Sequence, residues 1–312
     1  HLLDLTRPGA QPTPVPGITK GAHSAVFGGD GAIWYLAPVA GQDQLFRMAL
    51  GGRPAQLSAF KGDIGGFKLS DNTARVVVFA DRPLACRDLN CAAVKPPAQR
   101  GSAQAYDGLF ARHWDRWETP GTRSRLFAFA VAKGKLAGGG ALVGGALVGD
   151  SPSKPFGGAE EIDLSPDGRT VYFALREAGR IEATSTNLDI FAAPADGSAP
   201  PANLTAHNQA TDTLPAVSPD GRTLAYVAMA RAGYEADRQV LMLRDLATGA
   251  VRPLTAGWDR SVGSIAWAPD GRSIVVDAQD VMENPLFRVD VASGAVTRLT
   301  TNGQFHNAAV LK

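Results

Sequence analysis

The chain has 312 residues, including 35 glycines and 21 prolines, and its 31 Lys and Arg nearly balance 30 Asp and Glu. That balance gives no electrostatic reason to expect nucleic acid or an anionic membrane as a partner. An apolar content of 45% excludes a disordered chain, and the excess of turn formers points to many short segments joined tightly.

Residues 1–5 read as a strand already under way. The chain opens on His1 without Met or a signal peptide, so its amino end is read as made by cleavage or truncation. Turn signals then precede apolar runs: Gly29-Asp30-Gly31 before Ile33-Trp34-Tyr35-Leu36, and Ser70-Asp71-Asn72 before Val76-Val77-Val78-Phe79. Cys86 and Cys91 follow, and a single Cys-x4-Cys lacks the second ligand pair of a structural zinc site. Beside Pro83, Pro96 and Pro97 the pair reads as a loop disulfide, which implies an oxidising compartment; two unpaired thiols are the alternative. An insertion over 81–124 carries the aromatics Tyr106, Phe110, Trp114 and Trp117. The Gly-Ala-Leu-Val tract at 138–149 is the nearest approach to a membrane span, but it is too short and too rich in glycine, and it reads as hairpin or loop.

From there the chain repeats itself. Leu164-Ser165-Pro166-Asp167-Gly168-Arg169, Val217-Ser218-Pro219-Asp220-Gly221-Arg222 and Trp267-Ala268-Pro269-Asp270-Gly271-Arg272 each precede a β-branched or aromatic run. Pro fixes φ, Asp accepts a local backbone hydrogen bond, and Gly takes the positive φ that closes a hairpin. The following runs lack polar alternation, as strands buried on both faces do. A third strand comes next, at 188–191, 240–243 and 286–289, and a fourth ends at Leu204-Thr205, Leu254-Thr255 and Leu299-Thr300, with Leu57-Ser58 in the same place earlier. Four antiparallel strands in roughly 50 residues make a propeller blade, which must stack on neighbours to bury its faces. The expected fold is all-β: one β-propeller domain over 1–312, with five complete blades near 23–58, 64–148, 160–205, 213–255 and 262–300. Residues 1–5 and 305–311 would be single strands of incomplete blades.

Three stretches make the match more specific. They are His113-Trp114-Asp115-Arg116-Trp117-Glu118 ahead of Ser124-Arg125-Leu126-Phe127, then Lys154-Pro155-Phe156-Gly157-Gly158-Ala159-Glu160-Glu161, then Gly233-Tyr234-Glu235-Ala236-Asp237-Arg238 followed by Trp258-Asp259-Arg260-Ser261. In this order they resemble the N-terminal propeller of prolyl oligopeptidase-family serine peptidases, in the bacterial dipeptidyl-peptidase V and acylaminoacyl-peptidase branch. The resemblance implies a seven-bladed propeller capping an α/β-hydrolase domain, peptide substrates and no cofactor. Cys86 and Cys91 fall where secreted members carry a short disulfide loop, which implies a periplasmic or secreted protein. The catalytic Ser of such a peptidase sits in Gly-x-Ser-x-Gly, and no serine here has Gly at both −2 and +2. The expectation is therefore a non-catalytic propeller fragment, with a Ser-Asp-His triad lying beyond Lys312 and about one blade before His1.

Five scattered histidines, His1, His23, His113, His207 and His306, show no metal-ligand spacing. Glu160 and Glu161 are the acidic pair of interest, because a dipeptidyl peptidase needs carboxylates to hold the substrate's α-ammonium. The family's better-known pair lies in a helical insertion that this chain lacks, so a solvated Glu beside a strand start is the alternative. Arg238 is a candidate for a substrate carbonyl or carboxylate, or for the hydrolase domain, against a surface-loop ion pair. Trp114 and Trp117 are candidates for lining a pocket, against packing of the insertion. The expected partners are peptides and the hydrolase domain, with assembly into a homo-oligomer open. The rival reading is a free-standing periplasmic propeller resembling TolB, which binds a partner and catalyses nothing.

Overall fold

The β-branched and aromatic runs are strands in the computed structural model, which describes residues 1–18, 20–91, 103, 105–106, 110–113, 115–179 and 182–310. They pair into five successive antiparallel sheets, here blades 1 to 5. Blade 1 comprises His23–Phe27, Ile33–Val39, Gln42–Met48 and Ala55–Gln56, and blade 2 Gly66–Leu69, Arg75–Pro83, Thr122–Ala132 and Lys135–Val143. Blade 3 comprises Ile162–Leu164, Thr170–Glu177, Asp189–Pro194 and Ala202–Asn203, with Gly149–Asp150 added beside its second strand. Blade 4 comprises Asp212–Val217, Thr223–Ala228, Val240–Asp245 and Val251–Pro253, and blade 5 Ser264–Trp267, Ser273–Asp277, Leu286–Asp290 and Val296–Arg298. No helix among the described residues is long and apolar enough to cross a membrane.

Period-two geometry explains why the second strands are apolar throughout. Val76 and Val78 pack with Trp34 and Leu36 of blade 1, while Val77 and Phe79 pack with Ile162 and Phe173 of blade 3. Tyr172 turns the other way, against Leu224 and Tyr226 of blade 4, whose Ala225 and Val227 meet Ile274 and Val276 of blade 5. Blades 2, 3 and 4 are thus each one wall of two interblade cores. At about 1.5–3 kcal/mol per fully buried aliphatic or aromatic side chain, these interblade cores dominate the stability. Beyond them, Val15, Ile18 and Ala22 lie on the remaining face of blade 1, beside Ile33 and Tyr35. This is β-propeller architecture.

Two local devices recur in every repeat that carries their residues. At the turn between the first two strands, Asp167, Asp220 and Asp270 each accept the N–H two residues on, at 3.0, 3.1 and 2.9 Å. Ser165 and Ser218 Oγ donate to those same aspartates of their own turns and accept Thr170 N–H and Thr223 N–H. At the end of the fourth strand, Ser58, Thr205, Thr255 and Thr300 accept the N–H that opens the third strand, from Leu45, Ile190, Leu241 and Leu286, at 2.8–2.9 Å. The Leu-Thr repeat is therefore a clasp that finishes each outer edge.

Antiparallel succession then sorts the loops by end. Turns from first to second and third to fourth strand share one end of the molecule, and most are tight. Loops from second to third strand, and connections from one blade to the next, share the other end. This loop face carries the 84–121 excursion and the 144–161 connection, both long.

Two expectations are corrected and one is narrowed. Of hairpin and loop, the glycine tract is hairpin as far as residue 143: Lys135–Val143 pairs with Thr122–Ala132 as the outer strand of blade 2, bulged between Ala137 and Ala141. Gly140, at φ +80°, lies where a Cβ would come 2.4 Å from the Phe129 ring, so the strand needs a residue without one. The insertion begins later, since Arg75–Pro83 and Thr122–Ala132 pair out to Pro83 opposite Thr122. The single terminal strands are absent from the described residues. Leu2 bridges only Thr13, and Gln304 bridges only Asn284. Pro8, Pro12, Pro14 and Pro16 remove the donors that a longer ladder needs at the amino end.

Candidate functional site

The sequence Ser153-Lys154-Pro155-Phe156-Gly157-Gly158-Ala159-Glu160-Glu161 folds back on itself at the loop face, just before the inner strand of blade 3. Glu161 is buried and accepts Ser153 N–H at 2.6 Å and Ser153 Oγ–H at 2.7 Å. Gly157 is required there, because a Cβ would lie 2.5 Å from Glu161 Oε2. Burial pushes Glu161 up to about 7; the two Ser153 hydrogen bonds offset part of this, and the charge of Glu160 adds to it. Glu160 is exposed. The two glutamates therefore do different work: Glu161 pins the loop, and Glu160 is the one open to a ligand. Below them Asp163 accepts Val217 N–H at 2.7 Å and faces Lys68 at 3.7 Å, which ties three inner strands together under the site.

Beside this loop, charged groups interlock. Arg123 reaches Asp150 at 2.9 Å and holds Glu182 by two bonds of 2.8 and 3.0 Å. Lys154 meets Asp81 at 2.9 Å and Asp150 at 3.5 Å. Burial lowers the Lys154 pKa, but the nearby Asp150 and Asp81 more than offset it and hold the ammonium charged. A pocket of about 400 Å³ lies between these groups and blade 2, lined by Asp63, Phe79, Asp81, Arg82, Lys154 and Pro155 among others. Arg82 and Arg125 are buried and spend their donors on backbone carbonyls of the excursion's root, Leu89 and then Leu84 and Cys86. Cys86 and Cys91 are bonded to each other there, so the root of the excursion is fixed by a covalent link and two guanidiniums.

A second, larger cleft of about 730 Å³ lies between the excursion and the loops of blades 3 and 4. Its walls include Arg112, His113, Arg176, Glu182, Tyr234 and Glu235. His113 meets the Phe110 and Phe156 rings edge-on at 5.5 and 6.2 Å.

Arg238 does not form the loop ion pair. It donates to the carbonyls of Trp258 and Ala256, bracing the turn after the fourth strand. The pair is instead Arg231 with Asp237, at 3.2 Å, and Asp237 also caps Ala230 and Arg231 N–H. Trp117 is 63% exposed on a small hairpin, stacked on Tyr106 at 5.7 Å with the Arg112 guanidinium 5.3 Å from its ring. Trp114 lies outside the described residues. No group of three or more His, Cys, Asp or Glu among the described residues is placed to hold a metal ion.

Sequence reasoning missed Arg123, Asp150, Glu182, Lys154 and Arg176. The available signals were faint: charged residues at the ends of otherwise apolar strands, such as Arg176 after Val171-Tyr172-Phe173-Ala174-Leu175.

No family model matches the chain. It is 35% identical over 258 residues to dipeptidyl-peptidase 5 of Arthroderma otae, covering 76% of this chain and 34% of that protein. It thus spans about a third of the length of that relative. Among solved structures, the acylaminoacyl peptidase of Pyrococcus horikoshii superposes with a TM-score of 0.64 at 11% identity, over 91% of this chain and 39% of that one. TolB from Acinetobacter baumannii gives 0.56 at 14% identity, over 91% and 55%. The likenesses to solved structures bear on the fold alone, whereas the sequence match is to a third of the length of a dipeptidyl-peptidase 5. The chain belongs, as a β-propeller domain, to the prolyl oligopeptidase family of serine peptidases.

Proposed function

We propose that this chain is the non-catalytic propeller of a secreted dipeptidyl peptidase, and that its loop face receives the amino end of a peptide. The observation that carries the reading is the 35% identity to a dipeptidyl-peptidase 5 across 258 residues. The loop face supports it, since Glu160 is exposed there on a loop pinned by Glu161. Catalysis is assigned to an α/β-hydrolase domain of the same protein that the loop face would cap. A capped site admits short peptides, excludes folded proteins and keeps bulk water from the acyl-enzyme. The carboxylate of Glu160 would pair with the α-ammonium, so that the cut falls at a fixed distance from the amino end. The disulfide supports an oxidising compartment. The free-standing TolB-like reading rests on likeness of fold at 14% identity and is the weaker of the two.

The test is kinetic, on the full-length enzyme. Glu160→Gln should raise KM for dipeptidyl substrates with a free amine about tenfold, as expected for a lost charged hydrogen bond, with kcat little changed. Unchanged KM would remove Glu160 from substrate binding.

A further inference from the structure

Among the described residues that line the 730 Å³ cleft, one guanidinium has neither an acidic nor an aromatic partner. Glu182 is held by both bonds of Arg123, Arg112 lies over Trp117, and Arg231 is paired with Asp237. Arg176 enters from the end of Thr170–Glu177, where it is half-buried. It forms no ion pair or side-chain hydrogen bond among the described residues, and its Nε is buried without an acceptor. A buried N–H without an acceptor is costly. The guanidinium's planar fork of donors matches a carboxylate in two-point geometry. On the same lining, His113 Nδ1 is also buried without a partner, and the ring is fenced by Phe110 and Phe156. The acids in the lining are engaged elsewhere: Glu182 accepts two bonds from Arg123, which it shares with Asp150, and Glu235 lies exposed to screening water.

We propose that this cleft is a carboxylate subsite in which Arg176, with His113 beside it, receives an acidic side chain of the peptide. The proposal rests on the peptidase reading and adds a specificity to it: peptides carrying Asp or Glu at one position are preferred. Arg176 is then a specificity residue, separate from Glu160, which takes the amino end.

The experiment uses full-length enzyme and amidated hexapeptides that carry Glu or Gln at each position in turn. Wild type should cleave the Glu peptide with about tenfold higher kcat/KM at one position, in keeping with a hydrogen bond to a charged group. Arg176→Gln should erase that preference, bringing the Glu peptide down to the rate of its Gln counterpart. The variant's Tm should not fall, because the Arg176 side chain makes no hydrogen bond or ion pair among the described residues. Short peptides with a free C-terminus form the second arm: a preference for acid over amide that Arg176→Gln erases would assign the cleft to the terminal carboxylate and overturn the side-chain assignment. Equal Glu and Gln rates in wild type, or a Glu preference that survives in Arg176→Gln, would also overturn it while leaving the peptidase reading intact. Calorimetric titration with glutarate reads the subsite without turnover. Binding that Arg176→Gln abolishes supports it even if no peptide is cut, and equal heats in both proteins count against it.

Discussion

A buried carboxylate without a full partner set resists ionisation, and Asp212 and Glu161 are two such groups. Burial pushes Asp212 up to about 7; the Asn208 hydrogen bond offsets part of this, and the charge of Asp189 adds to it. Glu161 reaches about the same value in the loop under Glu160. Between its ordinary value of 4.5 and about 7, folded Glu161 keeps a proton that the unfolded chain has released. Stability therefore falls as pH rises through that window and levels off above it. At about 1.4 kcal/mol per unit, the Glu161 share is on the order of 3 kcal/mol. Urea denaturation at pH 5 and pH 8 should show wild type weaker at pH 8, with a smaller difference in Glu161→Gln. An identical difference in the two proteins would mean that Glu161 titrates as an ordinary surface acid.

At the scale of the element, blades 1, 3, 4 and 5 are each closed by one hydroxyl. Thr255 Oγ accepts Leu241 N–H at 2.9 Å, and Thr255 is buried. Thr255→Val keeps the shape and leaves that N–H unpaired, at about 1–3 kcal/mol, seen as a lower urea midpoint. A midpoint unchanged within error would make the Leu-Thr repeat a packing device only. These elements were legible in the sequence because their causes are local. The Asp and Gly of the turn act on residues within five positions, and the apolar runs announce strands buried on both faces. The site was legible only in part. Glu161 reads like its neighbour until the chain folds back to Ser153, and Arg123 meets Glu182 only through packing of blade 2 on blade 3. Asp237 adjoins Arg238 in sequence, which makes an ion pair one of the readings of Arg238, yet the turn geometry gives Asp237 to Arg231. The glycine tract left hairpin and loop both open because a bulge, which admits positive φ inside a strand, leaves no signature apart from glycine itself.

For the whole molecule, stacking puts the chemistry at one end. The four interblade cores fix how the loops of blades 2, 3 and 4 converge, and those loops supply Glu160, Arg176 and both pockets. A rigid propeller of this kind suits a cap that selects by size and by the free end of a chain, with charge recognition at its rim. That role makes a definite claim about products. The most direct measurement is mass spectrometry of peptides incubated with the full-length protein, comparing a free amino end with the same peptide acetylated. The account predicts stepwise release of dipeptides from the free peptide, with the acetylated one resistant. Release of an acetylated residue, or no cleavage of either peptide, would contradict it.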